Sequence, residues 1–286
     1  MGIRNLLNFV SSIACQKTNI TQIPLANTVV AVDVNCFIHK ALYTDQSPLM
    51  FLQRYVRMLH KQSCQVILVF DGLQYPQKQA TNKKRSENRL AQKKKGEELL
   101  KNGQVVEALK CFRRCTSISR TMVYEIKSVM QATSGVEVMD APYEADSQLA
   151  YLALNGLADF VITEDSDLVV YGCEKILFKL KLNGECLYYK KEDLDLEGLS
   201  WEDFRTLCVL SGCDYLPGGL KGMGIRKGLK MIKSNTIDTV LKDITEEFKE
   251  QVRTAIDAFR YQIVYDPVNQ VQRTLELIIE EKINVD

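Results

Sequence analysis

Residues 159–167 read DFVITEDSD, a strand-like apolar run followed at once by two carboxylates, Asp165 and Asp167. Two further runs have the same layout: TVVAVD at 28–33 ends on Asp33, and VILVFD at 66–71 ends on Asp71. Apolar runs of this length, separated by helix-like stretches, are typical of buried parallel strands. The sequence therefore predicts an α/β fold with a central, mostly parallel sheet flanked by helices.

Seven carboxylates are candidate metal ligands: Asp33, Asp71, Glu144, Asp146, Asp165, Asp167 and Asp214. In open α/β sheets the ligand crevice lies at the carboxyl ends of the strands, so we expect these acids to converge. So many anions cannot all stay ionised side by side without a counter-charge. Oxygen-only ligand sets suit magnesium or manganese rather than zinc, which indicates a two-metal phosphodiester site.

A single Asp after a strand is more often a turn or capping residue than a ligand. The pairs are harder to explain in that way, because residues two apart in an extended or turn backbone point in the same direction. Asp165 and Asp167 can therefore face one ion, and seven chance caps at strand ends are the poorer explanation.

The composition is that of an ordinary globular protein, with 286 residues, 46% apolar and 26% charged. No stretch has the length of a membrane helix and no secretory signal is recognised, so we expect no membrane association. Nine cysteines without a C-x-x-C pair indicate reduced thiols in an intracellular protein rather than a zinc or disulfide framework.

The net charge of +1 conceals an uneven distribution. A short segment carries a run of basic residues: Lys78, Lys83, Lys84, Arg85, Arg89, Lys93, Lys94 and Lys95. A basic arm beside an acidic pocket suits a phosphate backbone bound outside a metal-loaded site. The alternative is a solvated helix face, which is what most charge runs are.

The chain is expected to form one domain over 1–286 with an inserted helical arm. Residues 1–72 read strand, helix, helix, strand, and residues 73–134 carry only helical signals. We place an N-terminal region at 1–99 with the basic arm from about 73, the rest of a helical arch at 100–134, an internal region at 135–230, and a C-terminal helix and tail at 231–286. Asn183-Gly184 between two apolar runs predicts a hairpin, and residues from about Val268 show weak patterning.

The glycine-rich segment PGGLKGMG at 217–224 follows a predicted helix and precedes another. Glycines allow backbone amides to approach a phosphate closely, and a helix N-terminus favours anions. Helix, glycine turns and helix together are a known way to hold one DNA strand without reading its bases.

Five segments in this order resemble the structure-specific 5′-nuclease superfamily: VAVDVNCFIHK, LVFDG, APYEADSQLAYL, ITEDSDLVVYGC and LSGCDYLPGGLKGMG. The superfamily includes the flap endonuclease and xeroderma pigmentosum group G types. The resemblance covers residues 1 to 267, and it is closest to the exonuclease 1 nuclease domain because of ITEDSDL, YGC and YQIVYDP. It implies a helical arch and a helix–two-turn–helix in addition to the sheet.

The resemblance also implies residue roles. The seven acids would hold two Mg²⁺ ions, for which Mn²⁺ can substitute. Lys78 and Arg85 would act on the scissile phosphate, and with Asp165 and Asp167 they form the catalytic set. The residues that would contact DNA are Gly2, His39, Lys78, Arg85, Gly222 and Gly224. Ser211 and the carbonyl of Met223 would bind a monovalent cation, potassium.

Three departures from the family pattern concern DNA contacts and the cation. Asn35 stands where exonuclease 1 proteins often have an aromatic residue, and the segment 44–48 is shorter than expected. The turn at 217–219 is longer than usual, which affects the cation geometry.

The sequence thus indicates a magnesium-dependent, structure-specific DNA nuclease of DNA repair and recombination, a 5′→3′ double-strand exonuclease that also cuts 5′ flaps. We expect a nuclear monomer acting on duplex DNA with 5′ ends, gaps, nicks or 5′ flaps. The resemblance suggests mismatch-repair proteins as binding partners, although no motif of this sequence indicates such an interaction. A replication enzyme of the flap endonuclease 1 type and a catalytically inactive DNA-junction-binding protein remain as alternatives.

Overall fold

The computed structural model describes residues 2–234, 241–242 and 244–276. In this part of the chain, seven strands form one sheet in the order β1-β7-β6-β5-β2-β3-β4. The strands are β1 Cys15–Asn19, β2 Val29–Asp33, β3 Gln65–Phe70, β4 Val136–Asp140, β5 Phe160–Thr163, β6 Lys175–Phe178 and β7 Glu185–Lys190. Strands β6, β5, β2, β3 and β4 run parallel, while β7 is antiparallel to both β6 and β1. The prediction of a mostly parallel central sheet is confirmed.

Helices flank the sheet on both faces. They are α1 Leu6–Ile13, α2 Val34–Tyr43, α3 Pro48–His60, α4 Gln79–Lys101, α5 Val105–Arg113, α6 Arg120–Gln131, α7 Ala145–Leu154, α8 Asp167–Tyr171, α9 Trp201–Leu210, α10 Ile225–Ser234 and α11 Glu246–Arg260. Successive strand residues alternate between two hydrophobic cores: Ala31 and Val69 belong to one, and Val30, Val32 and Leu68 to the other. Because both faces are covered, these strands need apolar side chains at every position.

The segment between β3 and β4 is helical, as predicted. Helices α4 and α5 form a hairpin with its turn at residues 102–104, and α6 returns the chain to the sheet. Helix α4 is polar along nearly its whole length, and Gly96 is its buried residue. A 23-residue helix with so little apolar surface cannot be held by a core of its own. It is an arm that leaves most of its basic side chains in solvent.

The turns between α9 and α10 depend on glycine. Ser200 caps the start of α9 by accepting a hydrogen bond from the Asp203 amide. Gly219 has a φ of +56°, and a Cβ there would lie 2.3 Å from the carbonyl oxygen of Leu210. The chain can therefore fold back against the end of α9 only with glycine at this position.

The hairpin predicted at Asn183-Gly184 is confirmed by the antiparallel pairing of β6 with β7. Two parts of the chain differ from the prediction. The first 72 residues contain α1 and β1 ahead of the predicted elements, and residues after 260 form a hairpin of β8 Ile263–Asp266 and β9 Val271–Thr274. Residues 277–286 of the predicted tail lie outside the described residues. Among the helices that are described, none is both long enough and apolar enough to span a membrane.

Candidate active site

Three of the seven acids lie at the carboxyl ends of neighbouring strands. Asp33 is the last residue of β2, Asp71 follows β3, and Asp165 follows β5. Thr163 connects two of them, since its hydroxyl donates to Asp33 Oδ2 (2.9 Å) and accepts from the amide of Asp165 (3.0 Å). The parallel pairing of β2 with β3 and β5 thus brings these carboxylates to one edge of the sheet.

Helix α7 supplies Glu144 and Asp146. Glu144 is the residue before the helix and Asp146 lies in its first turn. The amide of Ala145 donates to Asp71 Oδ1 at 2.8 Å, so the start of α7 is fixed against the end of β3. The other oxygen of Asp71 accepts from the amide group of Asn35.

Asp165 and Asp167 lie against the N-terminal residues Gly2 and Ile3. The amide of Ile3 donates to Asp167 Oδ1 at 2.9 Å. Gly2 has a φ of +83°, and a Cβ there would lie 2.1 Å from Asp165 Oδ1 and 2.6 Å from Asp167 Oδ1. No other residue fits between these two carboxylates, which accounts for glycine at position 2.

Two cations face the remaining acid, Asp214. Arg85 Nη2 lies 2.8 Å from both oxygens of Asp214, and Lys78 Nζ lies 3.1 Å from Oδ2. Lys78 also pairs with Glu144 Oε1. Lys78 ends the short turn of 3₁₀ helix Pro76–Lys78, and Arg85 lies in the second turn of α4. The base of the arm therefore brings two positive charges to the acidic cluster.

The carboxylates influence one another electrostatically. Burial, and after it the charge of Asp71, raises the pKa of Asp33 to about 7. Burial and the charge of Asp165 raise the pKa of Asp146 and of Asp167 well above the ordinary value. Burial alone would lower the pKa of Lys78, but the nearby carboxylates, Glu144 first among them, outweigh it and raise that pKa. The site stabilises cations and disfavours its own negative charge.

The donor set fits a hard divalent cation. All seven side chains offer carboxylate oxygens, and five of them are buried: Asp33, Glu144, Asp165, Asp167 and Asp214. Within the described residues, however, no three acids form a ready-made coordination group. Lys78 and Arg85 occupy oxygens of Glu144 and Asp214, which keeps those carboxylates turned toward the arm.

A basic cleft of about 1110 Å³ opens beside the acids, between α2 and the helical arm. His39 lies in its wall together with Arg85, Arg89 and Arg113. Burial, and then the charge of Arg89, lowers the pKa of His39, so its ring is neutral at neutral pH. Arg113 Nε lies 3.0 Å from Asp45 Oδ2, which joins the arm to the loop between α2 and α3.

The remaining predicted residues lie on the turns between α9 and α10. Ser211 lines a smaller cavity of about 270 Å³ together with Gly2 and Arg85, and its hydroxyl donates to the carbonyl of Leu207 at 2.9 Å. Met223 is buried. Gly222 has a φ of +79°, whereas Gly224 has open space where a Cβ would point. The structure brings Ser211 close to Gly2 and Arg85 but records no contact of Gly222 or Gly224 with the acids.

Three polar residues beside the acids were not assigned a role from sequence: Asn35 on Asp71, and Tyr215 and Gln262 on Glu144. Tyr215 lies in the CDYL segment and Gln262 in YQIVYDP, so both were inside motifs that already indicated the family. A polar residue within a motif otherwise made of packing residues is the signal that could have identified them.

The chain is similar to known proteins in sequence and in fold. Residues 1–92 match the XPG N-terminal domain and residues 135–214 match the XPG I-region. Exonuclease 1 of Xenopus laevis is 35% identical over 94% of this chain, which spans 40% of that protein's length. The catalytic core of Rad2 in complex with a DNA substrate superposes with a TM-score of 0.63 at 22% identity, over 93% of this chain and 82% of that one. Flap endonuclease-1 from Methanococcus jannaschii gives a TM-score of 0.60 at 22% identity, over 87% and 84%.

Proposed function

Since the chain belongs to the XPG family of structure-specific 5′ nucleases, we propose that it hydrolyses phosphodiesters of DNA from 5′ ends in the 5′→3′ direction and also cuts 5′ flaps. The observation that supports this most strongly is that Lys78 and Arg85, at the base of the basic arm, contact Glu144 and Asp214 of the acidic cluster. In this proposal residues 1–286 act as one nuclease domain, and the role is in DNA repair and recombination.

The acids would hold two Mg²⁺ ions, with Mn²⁺ as a substitute. Bound divalent ions activate water as a nucleophile and stabilise the charge that develops on a phosphate. The buried acids and Gly2 would exclude other groups from this edge of the sheet. The acid pair Asp165 and Asp167 is held by backbone amides of the chain itself, which orients both carboxylates before any ligand binds.

Lys78 and Arg85 would move from carboxylate to phosphate when DNA binds. Both now contact Asp214, and a phosphate near the acids would compete for the same hydrogen atoms. Preorganised donors of this kind act most strongly on charge that appears in the transition state. The two residues would therefore serve catalysis more than affinity.

DNA would be held by its backbone. The basic cleft offers Arg85, Arg89 and Arg113 to phosphates, and His39 would stack on a terminal base. The turns at Gly222 and Gly224 would hold a duplex strand, with K⁺ at Ser211 and the carbonyl of Met223 as a bridge. We further propose a nuclear monomer that acts on 5′ ends, gaps, nicks and flaps, with mismatch-repair proteins as candidate partners.

The test uses a 5′-flap duplex and a blunt duplex, each labelled at its 5′ or 3′ end, with Mg²⁺ or with EDTA. We expect very short products from the 5′-labelled blunt duplex and progressive shortening of the 3′-labelled one. Because Asn35 replaces an expected aromatic residue, recessed or gapped ends should be digested better than blunt ends. Cleavage confined to flaps would instead assign the flap endonuclease 1 type, and binding without cleavage would assign a DNA-junction binder.

A further inference from the structure

Glu144 has two differently occupied oxygens. Oε1 pairs with Lys78. Oε2 accepts a hydrogen bond from the Tyr215 hydroxyl at 2.5 Å and lies 3.3 Å from Nε2 of Gln262. Neutral donors therefore take one oxygen of this carboxylate, and only the other faces the cations of the site.

Gln262 is the centre of this buried group. Its side chain is fully buried, and Nε2 lies 2.7 Å from the Tyr215 hydroxyl, 3.0 Å from the Tyr171 hydroxyl and 3.1 Å from the carbonyl of Ala258. The side-chain nitrogen Nε2 of Gln262 can only donate, so the Tyr215 hydroxyl accepts from it. The same hydroxyl donates its own hydrogen to Glu144 Oε2. One route of hydrogen bonds thus runs from Gln262 through Tyr215 to the carboxylate, and a longer contact joins Nε2 to Oε2 directly. Oε1 of the same amide is buried without a hydrogen-bond partner among the described residues, so the contacts of Nε2 are those that hold this side chain.

The same segment also fixes the helix that carries Glu144. Gln148 Nε2 donates to the carbonyl of Tyr265 at 2.8 Å, and the amide of Tyr265 donates to Gln148 Oε1 at 2.7 Å. Gln148 lies about one helical turn after Glu144. Residues 262–265 therefore contact α7 at two successive turns, once through the backbone of β8 and once through the carboxylate itself.

We propose that Gln262, acting through Tyr215, is a positioning residue that orients Glu144 so that it presents only Oε1 to a divalent cation. This rests on the proposed function and adds a segment 118 residues away in sequence to its active site. The competing explanation is that Tyr215 and Gln262 merely attach the C-terminal segment to the body of the protein. The two explanations differ in their effect on metal binding.

The experiment measures the Mg²⁺ and the Mn²⁺ concentration that gives half of the maximal thermal stabilisation, without DNA. Tyr215→Phe removes only the hydroxyl, and Gln262→Met replaces the amide by an apolar side chain of similar length. Tyr189→Phe is the matched control, because Tyr189 is fully buried and its hydroxyl has no hydrogen-bond partner among the described residues. The melting temperature in EDTA and the single-turnover cleavage rate are measured for every variant.

We expect the half-stabilising metal concentration to rise about tenfold or more for Tyr215→Phe and Gln262→Met, as for other residues that orient a metal ligand. The control should match the wild type. If Gln262 acts through Tyr215, the double variant should raise the half-stabilising metal concentration no further than the larger of the two single variants does. If Gln262→Met does not fold, Tyr215→Phe alone decides the matter.

The positioning role would be overturned if the half-stabilising metal concentration did not change in either variant. This holds even if the variants have a lower melting temperature in EDTA or a slower cleavage rate. Additive shifts in the double variant would overturn the action of Gln262 through Tyr215. If neither Mg²⁺ nor Mn²⁺ stabilises the wild-type protein, the positioning role is overturned as well. If the wild type binds metal but cleaves no DNA, the proposed function fails, while the metal midpoints still judge the role of Gln262.

Discussion

Replacing Asp33 with Asn should stabilise the metal-free protein. Burial and the charge of Asp71 raise the pKa of Asp33 from 3.8 to about 7. An acid whose pKa is raised on folding destabilises the fold wherever it must ionise, so the wild type should lose stability as the pH rises from about 4 to about 7. Asn can still accept from the Cys36 amide at Oδ1, because Asn caps helices about as well as Asp. Its amide nitrogen takes the place of Oδ2 and donates to the Thr163 hydroxyl, so that bond is reversed rather than lost.

The size of the effect follows from the pKa shift. At about 1.36 kcal/mol per pKa unit, the full rise corresponds to roughly 4 kcal/mol. Asp71 and Asp165 share the repulsion and can move apart, so we expect about 2–4 kcal/mol at pH 7.5. In a chain of this size that is an increase in Tm of about 4–10 °C. Asp33 is a ligand in the proposed metal site, and on that proposal added Mg²⁺ should stabilise the variant less than it stabilises the wild type.

The assay is thermal unfolding in EDTA at pH 4.5, 6 and 7.5, repeated with Mg²⁺ at the highest pH. Asp159→Asn is the control, because Asp159 also accepts a backbone hydrogen bond, from Val29, but lies outside the acidic cluster. The control should change stability by no more than about 0.5 kcal/mol. Equal Tm values for wild type and Asp33→Asn at all three pH values would refute the reasoning, because burial and the charge of Asp71 would then not raise the pKa of Asp33.

Three further predictions concern catalysis and DNA binding. Asp165→Ala should abolish cleavage and leave the Kd for a flapped duplex in EDTA near that of the wild type; more than a few per cent residual activity at saturating Mg²⁺ would contradict its role as a ligand. Lys78→Ala should raise the activation free energy of single-turnover cleavage by about 2–4 kcal/mol, with little change in the Kd for DNA. Lys94→Ala on the exposed arm should instead weaken DNA binding and reduce the slope of log K against log salt concentration by about 1. If both lysine variants behave alike, the basic run is an undifferentiated surface. Gly222→Ala should weaken duplex binding because its φ of +79° disfavours a side chain, while Gly224→Ala has space for a Cβ and should fold normally; a loss of Tm in Gly224→Ala would contradict that local geometry.

The central strands could be predicted because they are buried on both faces. Residues 29–32 of β2 and 66–70 of β3 all belong to one core or the other, so the sequence had to be continuously apolar there. Strand β1, with the sequence CQKTN, has one neighbour and an exposed edge, so it needs no apolar run and gave no signal. Helix α1 follows Asn5, which makes no side-chain cap, so its start carried no capping signature.

The strand-end acids could be predicted as a set, because parallel strands present their carboxyl ends on one edge. Their partners could not. Tyr215 and Gln262 lie 71 and 118 residues from Glu144, and hydrogen bonds over such separations leave no local pattern. Likewise, nothing in the basic run distinguishes Arg85, which reaches Asp214, from Lys84 beside it.

The first residues of this sequence contact residues that the ribosome adds much later. This order affects folding during translation. Ile3 bonds to Asp167, 164 residues further on, and β1 can join the sheet only beside β7. At about 5–20 residues per second, the start of the chain must wait roughly 10–30 s for these partners. During that interval the apolar side of α1, with Leu6, Phe9 and Val10, lacks its native neighbours β7 and α10. A nascent chain stalled between residues 20 and 160 should therefore bind chaperones through its first helix, and the active site should be among the last parts of the protein to form.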